Sequence, residues 1–310
     1  MATRWPDTVD EILAGDQMVA LAFPTQERGV VITPVIHFGT RDHAAGTVTV
    51  NSSVAMWQKL DQINRDPNVA LAFHTREHGF SGRPEFVLVQ GTATLSEPMP
   101  GYPAALGENW ERFGGPRASG PLWNWWLRVY HTRVEIEIVA ERVIVWSNLT
   151  CTGPPEVYGS PLSVSPPPAQ RPPEGRPIDH VRAALRVNRL SHVLLGWLGV
   201  DRRPTVVPVE IGGVEQDGII LETPAGTLPQ GDRRAGLTAH SFSPHGIGQN
   251  QRVYTGWLEP QPAWHQAGFT PYTETGHKLL PAALPYRFAV GLATRRGLRQ
   301  ARRAGAQDTA

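Results

Sequence analysis

The chain has 310 residues, with 29 lysines and arginines against 28 aspartates and glutamates, for a formal charge of +1. So even a balance sets up no strong field to gather nucleic acid or anionic lipid, and a single cysteine, Cys151, excludes an internal disulfide framework and a cysteine zinc cluster. No apolar run approaches the roughly 20 residues of a membrane helix, and Met1 to Asp10 lacks the apolar centre of a secretory signal, so a cytoplasmic protein is expected.

In chain order, Val19 to Val35 reads VALAFPTQERGVVITPV, two apolar strands around a polar turn at Gln26-Glu27-Arg28. Gly46 to Val50 predicts the next strand, which closes in Asn51-Ser52-Ser53. Val54 to Asn64 predicts a helix with Met56, Leu60 and Ile63 on one face, and it carries Lys59, one of two lysines in the chain. Strands are then expected at Asp66 to Thr75 and Phe86 to Leu95. After the glycine-rich Gly114 to Gly120 loop comes Trp123-Asn124-Trp125-Trp126, read as a helix packed on the barrel in preference to a lid over a flat substrate. Val134 to Val139 and Val143 to Trp146 read as two further strands, with Glu135 and Glu137 facing water.

Pro154, Pro155, Pro161, Pro166, Pro167, Pro168, Pro172, Pro173 and Pro177 crowd the next stretch, which predicts a semi-rigid spacer. Beyond it the first half is written again. VLLGWLGVDRRPTVVPV, from Val193 to Val209, lies over Val19 to Val35 without a gap. Asp232 to Ser241 matches Asp66 to Thr75, and Tyr254-Thr255-Gly256-Trp257 matches Val89-Gln90-Gly91-Thr92. The second copy is shorter by eight residues between the first two of these blocks, a loss assigned to the segment of Asn51 to Asn64. The expected organisation is a barrel over 1–147, a linker over 148–176, a diverged second barrel over 177–291 and a basic helix or tail over 292–310. Short strands with few helices, and no G-x-G-x-x-G after a strand, favour antiparallel barrels over a doubly wound sheet.

The blocks ALAF, VVITPV, VNSS, the helix with Lys59, RDPNVALAF, FVLVQGTATL and HTRVEIEIVAERVIVW together resemble the pyridoxamine 5′-phosphate oxidase-like FMN-binding split-barrel family. The resemblance covers roughly Asp10 to Trp146, with a diverged copy from Pro177 to Gly291. It implies a mainly β fold of two tandem split β-barrels that form an intramolecular pseudodimer, with FMN or a deazaflavin coenzyme between them. Association of two such chains is left open. Lys59 is then the phosphate ligand, with Ser52, Ser53 and Asn51 beside it, while Thr33, Pro34, Val35 and Gln90 reach the ring. The second copy is expected to keep little or no phosphate site and to supply wall and lid, Trp197 and Trp257 being wall candidates that read more readily as core.

The activity this implies is hydride transfer between the cofactor and a small organic substrate. No catalytic residue stands out, and the extra arginine and histidine contacts of pyridoxamine phosphate oxidases proper are absent near the carboxyl end. A non-catalytic carrier or sensor, or a haem-binding split barrel, is the alternative. No helical histidine pair with metal spacing and no G-x-S-x-G elbow appears.

Overall fold

The computed structural model describes residues 2–25, 29–118, 120–162, 168–279 and 282–303. The predicted turn Gln26-Glu27-Arg28, linker prolines Pro166 and Pro167, and the tail past Arg303 lie outside the described residues.

Two antiparallel sheets carry the fold. The first contains β1 (Met18–Thr25), β2 (Gly29–Ile36), β3 (Arg41–Asp42), β4 (Thr47–Ser53), β5 (Asn68–Phe73), β6 (Phe86–Leu95), β7 (Arg133–Trp146) and β8 (Glu156–Gly159). Its order is β2-β1-β5-β6-β7-β4-β3, with β8 on the margin of β7. The second contains β9 (His192–Leu198), β10 (Pro204–Pro208), β11 (Glu210–Glu215), β12 (Gly218–Glu222), β13 (Arg233–Ser241), β14 (Asn250–Gln261) and β15 (Gln266–Lys278). Its order, β10-β9-β13-β14-β15-β12-β11, repeats the first strand for strand.

The repetition extends to register. Ala20 pairs with Pro34 and Ala72 in the first sheet; Leu194, aligned with Ala20, pairs with Pro208 and Thr238, the aligned residues of the second. A bulge falls between Gln90 and Gly91 against β7, and the same bulge falls between Thr255 and Gly256 against β15. A bulge leaves one residue of the facing strand unopposed, so the predicted interruption at Ala140 to Arg142 is not a strand end, and β7 runs on as one strand. Register also corrects where the second copy is short. Ile219 takes the place of Val48, so three of the eight missing residues are lost before β12 and five after it.

Helix α1 (Asp7–Gly15) and helix α2 (Trp57–Arg65) flank the first sheet. Four short helices follow β6: α3 (Tyr102–Leu106), α4 (Glu108–Gly114), α5 (Pro121–Trp126) and α6 (Arg128–His131). Helix α7 (His180–Val187) precedes the second sheet, and the longest helix, α8 (Ala283–Arg303), follows it. The expected boundary at Gly291 falls inside α8, and the proline-rich segment is more than a spacer, since β8 pairs with β7. That pairing occurs at a sheet margin, where a proline-flanked strand is tolerated.

Each sheet has its own apolar core, one around Leu21, Val50, Leu71 and Ile138, the other around Leu195, Leu221, Leu237 and Phe269. A third cluster joins them, with Ala20, Ile32, Ala70 and Leu88 meeting Leu194 and Val206. Strand β2 lies across β9, β13 and β14, and β10 lies across β1, β5 and β6. This reciprocity is the signature of a two-fold interface, here within one chain. Small residues permit it: a side chain at Gly236 would strike the Val30 carbonyl, and one at Gly196 would strike Ile32. The Thr238 hydroxyl donates to the Ile32 carbonyl at 2.8 Å across the seam.

Candidate functional site

The eight residues singled out by sequence fall into three groups. Asn51, Ser52 and Ser53 end β4, and Lys59 stands in the following helix α2. Side chains alternate along a strand, so Ser52 shares the interior face of Val48 and Val50 while its neighbours turn outward. Ser53 caps the turn Val54–Met56: its Oγ accepts from the Ala55 amide at 3.3 Å and donates to the Val129 carbonyl at 3.3 Å. Asn51 donates to the Tyr102 hydroxyl, which itself donates to Glu135 Oε1 at 2.9 Å. Glu135 therefore does not simply face water as expected, because a buried tyrosine engages it.

Thr33, Pro34 and Val35 lie in β2, which approaches β4 across the first barrel. Thr33 shares the interior face with Val31 and Val35, and its Oγ1 is buried without a partner, as is the Oγ of Ser52. The Pro34 carbonyl accepts from Gln249 Nε2 of the second copy at 3.3 Å. Gln90 is elsewhere. Its Nε2 donates to the Pro204 carbonyl at 2.8 Å and its Oε1 accepts from Arg142 at 2.8 Å, so both ends of the amide are used in holding the seam. Ser53 pairs with Arg133 and Gln90 with Arg142, which separates them by nine residues of β7, roughly 30 Å at 3.3 Å per residue.

Around Lys59 the structure assembles a group that sequence reading did not find. Burial, reinforced by the nearby positive charge of Arg133, lowers the Lys59 pKa to about 8. Lys59 has neither an ion pair nor a hydrogen bond among the described residues. Arg133 begins β7 directly opposite Ser53; its guanidinium lies 4.2 Å over the Tyr130 ring and its Nε is buried with no partner. From the second copy, His277 at the end of β15 feels both Arg252 and Lys59, and burial with these two charges lowers its pKa. Its Nδ1 meets Gln251 Nε2 at 3.2 Å. Cations from two copies thus face one region where, among the described residues, the only carboxylate in ion-pair reach is Glu274, which is already held by Arg186 at 2.5 Å and lies 3.9 Å from Arg252. Both Lys59 and Arg133 are half-buried, and cations partly withdrawn from water without a counter-charge are costly, an anion being the group that offsets them. The residues present fit a phosphate-bearing cofactor. Arg133 sat inside a block already singled out, HTRVEIEIVAERVIVW, but its nearness to Lys59 depends on the β4–β7 pairing.

Helix α8 covers this region. It packs on the Val54–Met56 turn, on α6 and on α2. Trp126 Nε1 donates to the Arg287 carbonyl at 3.3 Å, Arg295 donates to the Trp125 carbonyl at 2.8 Å, and Trp123 meets Phe288 with ring centroids 5.1 Å apart. The tryptophan cluster is thus a helix-packing feature, and its partner is α8. Trp197 belongs to the second core, and Trp257 lines a shallow cavity with Gln170 and Arg233.

No protein-family model and no curated protein matches this chain. Solved structures similar to it come from the pyridoxamine 5′-phosphate oxidase family, FMN-binding proteins and an F420 reductase, with low TM-scores and partial coverage. A conserved hypothetical protein of Mycobacterium tuberculosis is 21% identical, with 47% of this chain and 86% of that one covered and a TM-score of 0.34. A pyridoxamine 5′-phosphate oxidase-related, FMN-binding protein of Nostoc punctiforme is 10% identical, covering 63% of this chain and 88% of its own, at a TM-score of 0.31. The F420 reductase is 16% identical over 43% of this chain and 94% of its own, at 0.32. Among the described residues no helix is long and apolar enough to cross a membrane.

Proposed function

We propose that the chain is a flavin- or deazaflavin-dependent oxidoreductase that holds one cofactor where the first copy meets the second. The single observation that supports this is the pair of unpaired cations, Lys59 and Arg133, facing His277 of the other copy. When bound, the ring of such a cofactor supplies hydride transfer to or from a small organic substrate. The protein's own part is to bind and orient. Lys59 and Arg133 neutralise phosphate oxygens. Helix α8 shields the cations from water, which strengthens their attraction for an anion. The same covering helix favours a second reading, a carrier that holds the cofactor without turning it over. Haem finds no support in the site or in the comparisons.

Mass spectrometry and visible absorbance of the small molecule that copurifies test the cofactor class. Lys59→Ala is expected to lower its affinity by about 1.5–3 kcal/mol, the worth of a charge-assisted hydrogen bond. Unchanged affinity contradicts the grip. Stopped-flow reoxidation of the reduced cofactor by candidate acceptors separates enzyme from carrier.

A further inference from the structure

The balanced total charge of the chain conceals a segregated one. Helix α8 carries six arginines and no acidic residue, so with +1 for the whole chain everything outside α8 sums to −5. At roughly 100° per residue, Arg295, Arg296, Arg299, Arg302 and Arg303 fall on one arc of about 120°, and Leu284, Phe288 and Leu292 share it. Val290, Gly291, Thr294 and Ala301, the buried residues of the helix, lie on the other side.

The arc points into solvent. Leu284 is 56% exposed, Phe288 48% and Leu292 39%. Helix α5 lies alongside, with Trp123 and Trp126 at ring-centroid distances of 5.1 and 5.9 Å from Phe288, and it adds Leu122 and Trp125, 62% and 58% exposed. Five of the twelve large hydrophobic side chains exposed among the described residues are thus gathered on these two helices. Exposed apolar residues scattered singly are ordinary, whereas a cluster of them marks an interaction surface.

We propose that α8 and α5 form a docking face for an anionic lipid bilayer, on which α8 lies flat. Along its length of about 30 Å the arc is apolar in the first half and basic in the second, and both halves meet the same plane. A bilayer surface offers both partners side by side, phosphate groups for guanidinium and acyl chains for leucine and phenylalanine. The Arg295 guanidinium, 4.2 Å over the Trp125 ring, joins the two halves. Arg296, Arg299 and Arg303 have no ion pair or hydrogen bond among the described residues, so no carboxylate there competes with lipid phosphate for them. Other occupants match one half only. Nucleic acid would meet the arginines and leave Leu122, Leu284 and Leu292 in water, and a second copy meeting this face with its own would set arginine against arginine.

The experiment is flotation of the full chain with phosphatidylcholine vesicles, with and without about 30% phosphatidylserine. Binding is expected to the anionic vesicles, weakened by salt, and little to the neutral ones. Arg296→Gln/Arg299→Gln/Arg303→Gln should weaken it roughly 100-fold, at about a ten-fold loss or slightly less for each charge removed from the surface. Leu284→Ser/Leu292→Ser should weaken it at least about ten-fold, and circular dichroism should stay unchanged in both variants because all five side chains point outward. Lys59→Ala should float as the wild type does, which keeps this test separate from the cofactor reading. Absence of binding to the anionic vesicles, equal binding to both kinds, or binding that either variant leaves unchanged overturns the proposal. So does binding of RNA or of polyglutamate as tight as that of the vesicles and indifferent to Leu284→Ser/Leu292→Ser.

Discussion

His74 and His240 occupy equivalent positions in the two copies and meet each other, Nε2 to Nε2, at 2.7 Å. A residue that touches its own counterpart marks a two-fold axis, so this contact locates the pseudo-symmetry axis of the chain. The His74 Nδ1 proton is committed to the Ala72 carbonyl, so His74 Nε2 accepts and His240 Nε2–H donates. The His74 ring must then be neutral, and burial beside two other histidines keeps His240 neutral as well.

Acid should therefore loosen the seam. Burial, with the charge of His192, lowers the His74 pKa to about 3, and burial with both neighbouring histidines lowers that of His240 well below the usual value. The unfolded chain takes up protons near pH 6.5 and the folded one does not, so the stability these rings contribute is complete above pH 6.5 and declines as pH falls toward 3. Each histidine adds up to about 1.4 kcal/mol per pH unit to that slope. Urea unfolding between pH 7 and 4.5 should show a shallower slope for His74→Gln/His240→Gln than for the wild type; identical slopes contradict neutral rings.

The two bulge glycines make a second prediction. A side chain at Gly91 would collide with the Val139 carbonyl, and one at Gly256 with that of Thr270. Gly91→Ala and Gly256→Ala should each cost about 1–3 kcal/mol, as overpacking does, whereas Gly213→Ala, with open space around it, should cost under about 1 kcal/mol. Chemical denaturation ranks the three.

These same pairs show what was legible in the sequence. DPNVALAFHT over DRRAGLTAHS already set His74 above His240, and VQGT over YTGW set Gly91 above Gly256, because strand pattern and close-approach glycines are local properties. Contacts created by pairing were not legible. Arg133 comes beside Lys59 through the β4–β7 ladder, His277 through the seam, and Gln90 is drawn to Pro204 by a partner distant in sequence. The cover supplied by α8 was hidden for the same reason, since a run of arginines reads as a solvated tail until Trp125 and Trp126 are placed against it.

Lys59 should trade stability for anion binding. Its folded pKa of about 8 lies below the unfolded value near 10.5, so the unfolded chain holds the proton more tightly between those values. Stability of the ligand-free protein should rise with pH across that window. Lys59→Met should melt higher than the wild type at pH 7, and the difference should close as pH approaches 10.5; a variant that melts lower at pH 7 contradicts a half-buried, unpaired cation at this position.

Docking of α8 depends on two glycines. A side chain at Gly291 would meet the Trp126 indole, and one at Gly297 the Ala55 carbonyl. Gly291→Val and Gly297→Val should free the helix from the barrel, seen as a red shift of tryptophan emission and faster cofactor exchange. Unchanged emission and exchange would mean that α8 does not cover the site.

The central claim is that two copies of one barrel share a single anion grip, built on Lys59 and Arg133 of the first. Equilibrium dialysis of the ligand-free chain against FMN and against a deazaflavin coenzyme tests it most directly. One cofactor per chain is predicted for the wild type, with affinity reduced at least about ten-fold in Lys59→Ala/Arg133→Ala. Two cofactors per chain, or binding that the double variant leaves unchanged, would contradict the account.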